Sequence, residues 1–100
     1  MIAAFTIWPY GKEKSLSKDI AEALKLIKES GLSYKFHSMG TNIEGEWDQV
    51  MNLIKKCREK LLEAINRIGM TIVIDEKKGA TDQITYKVKS VEEKLERLGV

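Results

Sequence analysis

A hydroxyl and a carboxylate lie three residues apart, at Thr41 and Glu44, in a segment that has glycines at positions 40 and 45. Such a pair can hold a polar ligand, since a carboxylate accepts hydrogen bonds and a hydroxyl both donates and accepts them. The glycines permit close approach of a ligand to the backbone. The alternative is that both side chains cap local backbone groups before the helix predicted from Glu46. Both uses remain open, and the segment Met39 to Gly45 is our candidate ligand-binding element.

Histidine and cysteine, which often act in catalysis or bind metals, each occur once in the chain. His37 is the only histidine and Cys57 the only cysteine of the chain. One of each cannot form a multi-histidine metal site, a cysteine-based zinc site or an intrachain disulfide. We expect a surface or interface histidine and a packed core thiol. No Walker loop, GxGxxG, CxxC or GxSxG motif occurs, and we predict a non-catalytic protein without metal or cofactor.

The charge balance argues against a nucleic-acid partner. Seventeen basic and 15 acidic residues give a net charge of +2. The basic group Lys55, Lys56 and Arg58 is interrupted by glutamates, as on a solvated helix face. The apolar residues 1–10 are too few to span a membrane and lack the basic start of a signal peptide. Together with the single cysteine, this pattern predicts a cytoplasmic protein without a membrane partner.

One domain over residues 1–100 must position the candidate segment. Residues 2–9 form an apolar run typical of a strand, and Pro9 ends it because proline cannot donate to the ladder. Ser17 is a suitable N-cap for a first helix, with Asp19 in its first turn. That helix should end near Gly31.

The remaining segments alternate between strand and helix patterns. Side chains of period two indicate strands, and apolar spacings of three and four indicate helices. The predicted elements are a strand over 32–39, a short extended segment over 41–45, a helix over 46–66, a strand over 68–75 and a helix from Ile84 to Leu98 capped by Thr81 or Asp82.

This element order predicts an α+β, ferredoxin-like split βαβ sandwich, provided that residues 41–45 pair as a strand. Two helices would cover one face of the antiparallel sheet, and the C-terminal helix would be an appendage. The strands over 2–9 and 68–75 carry apolar residues on both faces, whereas a sheet facing water shows polar residues on one side. Since the two helices can cover only one face, we expect the second face to pack against another subunit.

Several stretches of the sequence resemble one known family. Tyr34, the run Met39-Gly40-Thr41 and residues 43–51 (Ile-Glu-Gly-Glu-Trp-Asp-Gln-Val-Met) are similar to the thiamine-binding, YkoF-like family, also called UPF0045 or DUF77. The resemblance extends over essentially the whole chain. It implies a ferredoxin-like fold that assembles into dimers and then tetramers. It also implies a protein that binds thiamine or its hydroxymethylpyrimidine moiety.

The resemblance also implies which residues contact the ligand. By motif position, Thr41 and Glu44 become the leading ligand residues, and Ser17, Met39 and Gly40 the second-rank candidates. An aminopyrimidine offers a donor amine and ring acceptors, which suit a carboxylate and a hydroxyl. A thiazolium cation would favour an anionic site.

Two other function classes are compatible with this topology. One is a regulatory module resembling the amino-acid-sensing ACT domains, which would bind an effector at a subunit interface. The other is a small hydrolase such as an acylphosphatase. No phosphate-cradling glycine loop accompanies any of the three arginines, Arg58, Arg67 and Arg97, which argues against the hydrolase.

Overall fold

The computed structural model describes residues 1–11 and 16–100 and has the predicted order of elements. The elements are β1 (Ile2–Pro9), α1 (Leu16–Lys28), β2 (Ser33–His37), β3 (Gly40–Glu44), α2 (Trp47–Leu62), β4 (Ile68–Asp75) and α3 (Gln83–Arg97). The short segment after position 40 is a strand, as the ferredoxin-like prediction requires.

The four strands form one antiparallel sheet in the order β2-β3-β1-β4. Strand β1 lies in the centre and pairs with β4 along its full length, from Ile2 opposite Asp75 to Pro9 opposite Ile68. Its pairing with β3 is shorter and stops where Phe5 lies opposite Thr41. The predicted split βαβ sandwich with an added C-terminal helix is therefore confirmed.

Helices α1 and α2 pack together over one face of the sheet. Alternate residues of β1 point into the core beneath them, and Cys57 of α2 is fully buried there, as predicted. Its thiol donates a hydrogen bond of 3.3 Å to the Ala23 carbonyl of α1. The apolar core consists of Ala3, Phe5, Ile7, Ala23, Ile27, Ile43, Val50, Leu53, Ile54, Cys57, Leu61 and Ile65.

The opposite face of the sheet is half-buried along β1, at Ile2, Ala4, Thr6 and Trp8. The Trp8 indole lies over Gly69, its partner in the ladder. We expected the helices to cover only one face of the sheet, and this prediction is wrong in part. The first turns of α3 lie beside this second face, near Ile2, Ala4, Asn42 and Val73.

Helix α3 nevertheless remains largely exposed, as expected for an appendage. None of its residues is buried. The radius of gyration is 15.6 Å, whereas a compact chain of this length has about 13 Å. Within residues 1–11 and 16–100, no helix has the length and apolarity needed to cross a bilayer.

Both ends of α3 differ by one residue from the predicted positions, and three ends of α1 and α2 also differ. Helix α1 begins at Leu16, so Ser17 lies in its first turn and is not the N-cap. Glu46 is the N-cap of α2, where its side chain and that of Gln49 form a capping box. The same helix ends at Leu62 and does not reach position 66. The prediction was too long because the buried Ile65 continues the apolar spacing after the helix has ended.

Candidate functional site

A cleft of about 410 Å³ opens between the middle of β1, the turn that joins β2 to β3, and helix α1. It contains three of the five predicted site residues: Met39, Gly40 and Thr41. Small-molecule sites in proteins usually enclose roughly 300–1,000 Å³. The described residues that line it are Phe5, Thr6, Ile7, Leu24, Phe36, His37, Ser38, Met39, Gly40 and Thr41.

Gly40 is required for the shape of this cleft. Its φ of +151° is a conformation that other residues rarely adopt. A Cβ atom at this position would lie 2.8 Å from the Phe5 carbonyl oxygen and 2.6 Å from Thr6 Oγ1. The Thr6 hydroxyl donates a hydrogen bond of 2.9 Å to the Met39 carbonyl. The turn is therefore fastened to β1 by direct backbone approach and by one side-chain hydrogen bond.

Thr41 is the most enclosed polar side chain of the cleft. It is 2% exposed and lies on the same sheet face as Phe5 and Phe36. Among the described residues, no group forms a hydrogen bond with its hydroxyl. Since no fully buried side-chain oxygen or nitrogen of the described residues lacks a partner, this hydroxyl is open to the cleft, where a ligand can reach it.

His37 organises the turn from the outer side. The Met39 backbone N–H donates to its Nδ1 at 3.3 Å, and its Nε2 lies 3.3 Å from Asn42 Oδ1. Since Nδ1 accepts a hydrogen bond, a neutral His37 ring carries its proton on Nε2 and donates it to Asn42. The exposed histidine predicted from the sequence thus supports the turn that carries Met39 and Gly40.

Glu44 lies apart from this cleft. Positions 41 and 44 point to opposite faces of β3, because side chains alternate along a strand. The Glu44 carboxylate accepts hydrogen bonds from the backbone N–H groups of Gln83, at 2.9 Å, and Ile84, at 3.2 Å. It therefore caps α3, a distant helix, and not the local backbone before α2. Within one chain, Thr41 and Glu44 therefore do not line the same binding site.

A smaller cleft of about 260 Å³ surrounds Glu44 at the start of α3. Its lining includes Asp75 and Lys87, which form an ion pair. The Lys87 ammonium lowers the pKa of Asp75 from its ordinary value of 3.8, first through the hydrogen bond and then through its charge. This region combines charges of both signs, whereas the larger cleft is mostly apolar.

The remaining predicted site residue, Ser17, is exposed in the first turn of α1. It is not among the described residues that line either cleft. Sequence reasoning missed Thr6, Ile7 and Phe36 as lining residues of the larger cleft. The alternation of the first strand could have identified Ile7 as a core residue, but only the sheet order places β1 beside the turn at Met39.

The sequence and the fold were compared with those of known proteins. The family model described as thiamine-binding protein matches residues 3–92. A UPF0045 protein of Mycobacterium bovis is 32% identical over 98 residues, covering 97% of this chain and 96% of that protein. A UPF0045 protein of Methanocaldococcus jannaschii is 30% identical over 93 residues and 93% of each chain.

Solved structures agree with these sequence matches. The crystal structure of a hypothetical protein from Methanocaldococcus jannaschii has a TM-score of 0.81 at 30% identity, covering 92% of this chain and 95% of that chain. A protein of Thermotoga maritima, described as a candidate thiamine biosynthesis/salvage protein, has a TM-score of 0.75 at 24% identity, covering 87% and 96% of the two chains. The second likeness shows a shared fold alone. Sequence and structure together place this chain in the thiamine-binding protein family, the UPF0045 proteins.

Proposed function

We propose that this protein binds thiamine or its hydroxymethylpyrimidine moiety without catalysing a reaction, in the cytoplasm and as an oligomer. The cleft of about 410 Å³ at the turn between β2 and β3 is the observation that carries this proposal. It is lined by Met39, Gly40 and Thr41, which belong to the segment by which the sequence resembles the family. The description of the family model as a thiamine-binding protein supports the choice of ligand.

The chemistry of the cleft suits a flat, mostly apolar ring with a few polar atoms. Phe5 and Phe36 provide aromatic walls, and Leu24 of α1 provides an aliphatic one. Thr41 supplies a hydroxyl that can donate to a ring nitrogen or accept from an exocyclic amine. Binding of this kind needs shape and a few hydrogen bonds, and no step of it makes or breaks a covalent bond.

Thr41→Val tests this assignment, because valine keeps the size of the side chain and removes the hydroxyl. In a calorimetric titration with hydroxymethylpyrimidine, loss of one hydrogen bond worth about 1 kcal/mol should weaken binding roughly fivefold. The matched control is Thr71→Val, on the opposite sheet face in β4, which should leave the affinity unchanged. Equal affinities for all three proteins would exclude Thr41 from the site.

Glu44 and Ser17 complete the proposed set of ligand residues, although neither lines this cleft within one chain. Glu44→Gln separates a ligand role from an anchoring role for the carboxylate. If Glu44 contacts the pyrimidine or balances the thiazolium charge, the variant binds more weakly while remaining folded. If the carboxylate only holds α3, the titration gives the wild-type affinity and Glu44 is removed from the site.

The proposal of an oligomer is supported by the exposed apolar stripe of α3. Val88, Val91, Leu95 and Leu98 follow one another at helical spacing and are 51%, 56%, 40% and 75% exposed. Contiguous apolar surface of this kind usually marks an interface with another protein. Light scattering after size exclusion should give the mass of a dimer or tetramer. Val91→Glu should lower that mass, whereas the control Lys94→Glu in the same helix should not.

A further inference from the structure

Strand β1 directs its backbone groups alternately towards its two neighbours. Met1 exchanges two hydrogen bonds of 3.1 Å with Gly45, on the β3 side. Tyr10 donates a hydrogen bond of 2.9 Å to the Arg67 carbonyl, on the β4 side. Because the N–H and C=O of one residue in an antiparallel strand point the same way, and neighbouring residues point oppositely, the odd-numbered residues face β3. Ile7 therefore directs both of its backbone groups to that side.

Within residues 1–11 and 16–100, no strand lies beside Ile7 on the β3 side to receive those groups. The pairing of β1 with β3 stops at Phe5 opposite Thr41, and Gly40 turns the chain away. Among the described residues, neither backbone group of Ile7 forms a hydrogen bond across this edge. Ile7 is only 9% exposed and lines the cleft. The backbone donor and acceptor of Ile7 therefore border the cleft without a partner among the described residues, where a ligand can reach them.

We propose that the Ile7 backbone N–H and C=O form the recognition edge for the aminopyrimidine ring, an inference that rests on the proposed function. The N–H donates to a ring nitrogen, and the carbonyl accepts from the adjacent exocyclic amine. Thr41, whose hydroxyl forms no hydrogen bond with the described residues, lines the same cleft. Gly40 keeps this edge open, since a side chain there would collide with Phe5 and Thr6.

This arrangement predicts which rings the cleft accepts. A backbone donor beside a backbone acceptor is complementary to a ring nitrogen beside an amine. It is not complementary to the analogue that lacks the 4-amino group, which offers no donor to the Ile7 carbonyl. Sites built to bind a donor group reject analogues that lack it far more strongly than apolar pockets do. We expect the analogue without the amine to bind on the order of 100-fold more weakly than the amino compound.

The test is amide NMR of the ¹⁵N-labelled full chain titrated with hydroxymethylpyrimidine and, separately, with its analogue that lacks the 4-amino group. On saturation with the amino compound, the Ile7 amide should shift, and its hydrogen exchange should slow by at least about tenfold. The Ala3 amide, already paired with β3, is the internal control and should change little.

Three results would overturn the proposal. Saturable binding of hydroxymethylpyrimidine without a change at the Ile7 amide, or equal binding of the analogue that lacks the amine, rejects the recognition edge while the proposed function stands. No binding of hydroxymethylpyrimidine or thiamine at millimolar concentrations rejects the proposed function and this inference with it.

Discussion

The carboxylate of Glu44 in β3 receives the backbone N–H of Gln83 at 2.9 Å and so caps a helix that begins much later in the chain. The N-cap residue of that helix, Asp82, has a φ of +53° and makes no side-chain capping hydrogen bond of its own. The first N–H groups of a helix have no partner within the helix. Glu44 supplies the missing acceptor and places a negative charge at the positive end of the helix dipole.

Glu44→Ala should therefore destabilise the protein by about 1 kcal/mol, the usual value for loss of a helix cap. For a chain of this size the melting temperature should fall by about 4–8 °C. Thermal unfolding followed by circular dichroism measures the change. Glu92→Ala, on the exposed surface of α3, is the control and should cost less than about 0.5 kcal/mol. Identical melting curves for the two variants would show that the cap contributes nothing.

The Asp75–Lys87 ion pair should contribute stability that depends on pH. The pKa of Asp75 is lowered in the folded state by its hydrogen bond and its attraction to Lys87. A depressed carboxyl pKa contributes stability above the pKa of the unfolded chain, and that contribution is lost as pH falls through the folded value.

Lys87→Met tests this dependence. The difference in unfolding free energy between wild type and variant should be greatest at neutral pH and should disappear in acid, below the pKa of Asp75. NMR titration of the Asp75 side chain should give a higher midpoint in the variant. The same midpoint in both proteins would mean that the pair does not persist in solution.

Gly69→Ala should destabilise β4, because a Cβ at this position would overlap the indole of Trp8. Displacing a packed aromatic ring costs typically 1–3 kcal/mol. Denaturant unfolding monitored by tryptophan fluorescence measures the loss. In a Trp8→Ala background the substitution should cost far less, since the overlapping group is gone. Equal costs in both backgrounds would contradict the contact.

Cys57 should be unreactive in the folded protein. Burial raises the pKa of its thiol to about 11, partly offset by a backbone hydrogen bond. The thiolate is the reactive form, and at pH 8 the native protein should contain almost none of it. Labelling with a chromogenic disulfide should be slow in buffer and rapid in denaturant. Fast labelling of the native protein would show that the helix layer opens readily.

The sequence indicated β1 and β4 with their observed bounds, because apolar runs and the terminal Pro9 are local signals. It also indicated the stripe of α2, although Trp47, predicted to lie on that stripe, is 52% exposed. The helix began one residue later than expected because Glu46 is used as a cap. Local patterns thus predicted the elements well and their ends less well.

The candidate site was predicted only in part, for a physical reason. Thr41, Met39 and Gly40 share a cleft because they are adjacent in the chain. Glu44 lies three residues from Thr41, an odd number, and strand geometry places the two on opposite faces. The unpaired backbone N–H and C=O of Ile7 result from strand pairing. The pattern of side chains in the sequence does not predict which backbone groups remain unpaired.

The sheet order has a consequence for biosynthesis. The central strand β1 is the first to be made, yet the partner of Ile2 in β4 is Asp75. Contacts between such distant positions form slowly, since closing the long intervening loop costs conformational entropy before the contacts stabilise the fold. On the ribosome, one edge of β1 stays unpaired until β4 has emerged. Early release or a translational pause before β4 would therefore expose an apolar strand to aggregation.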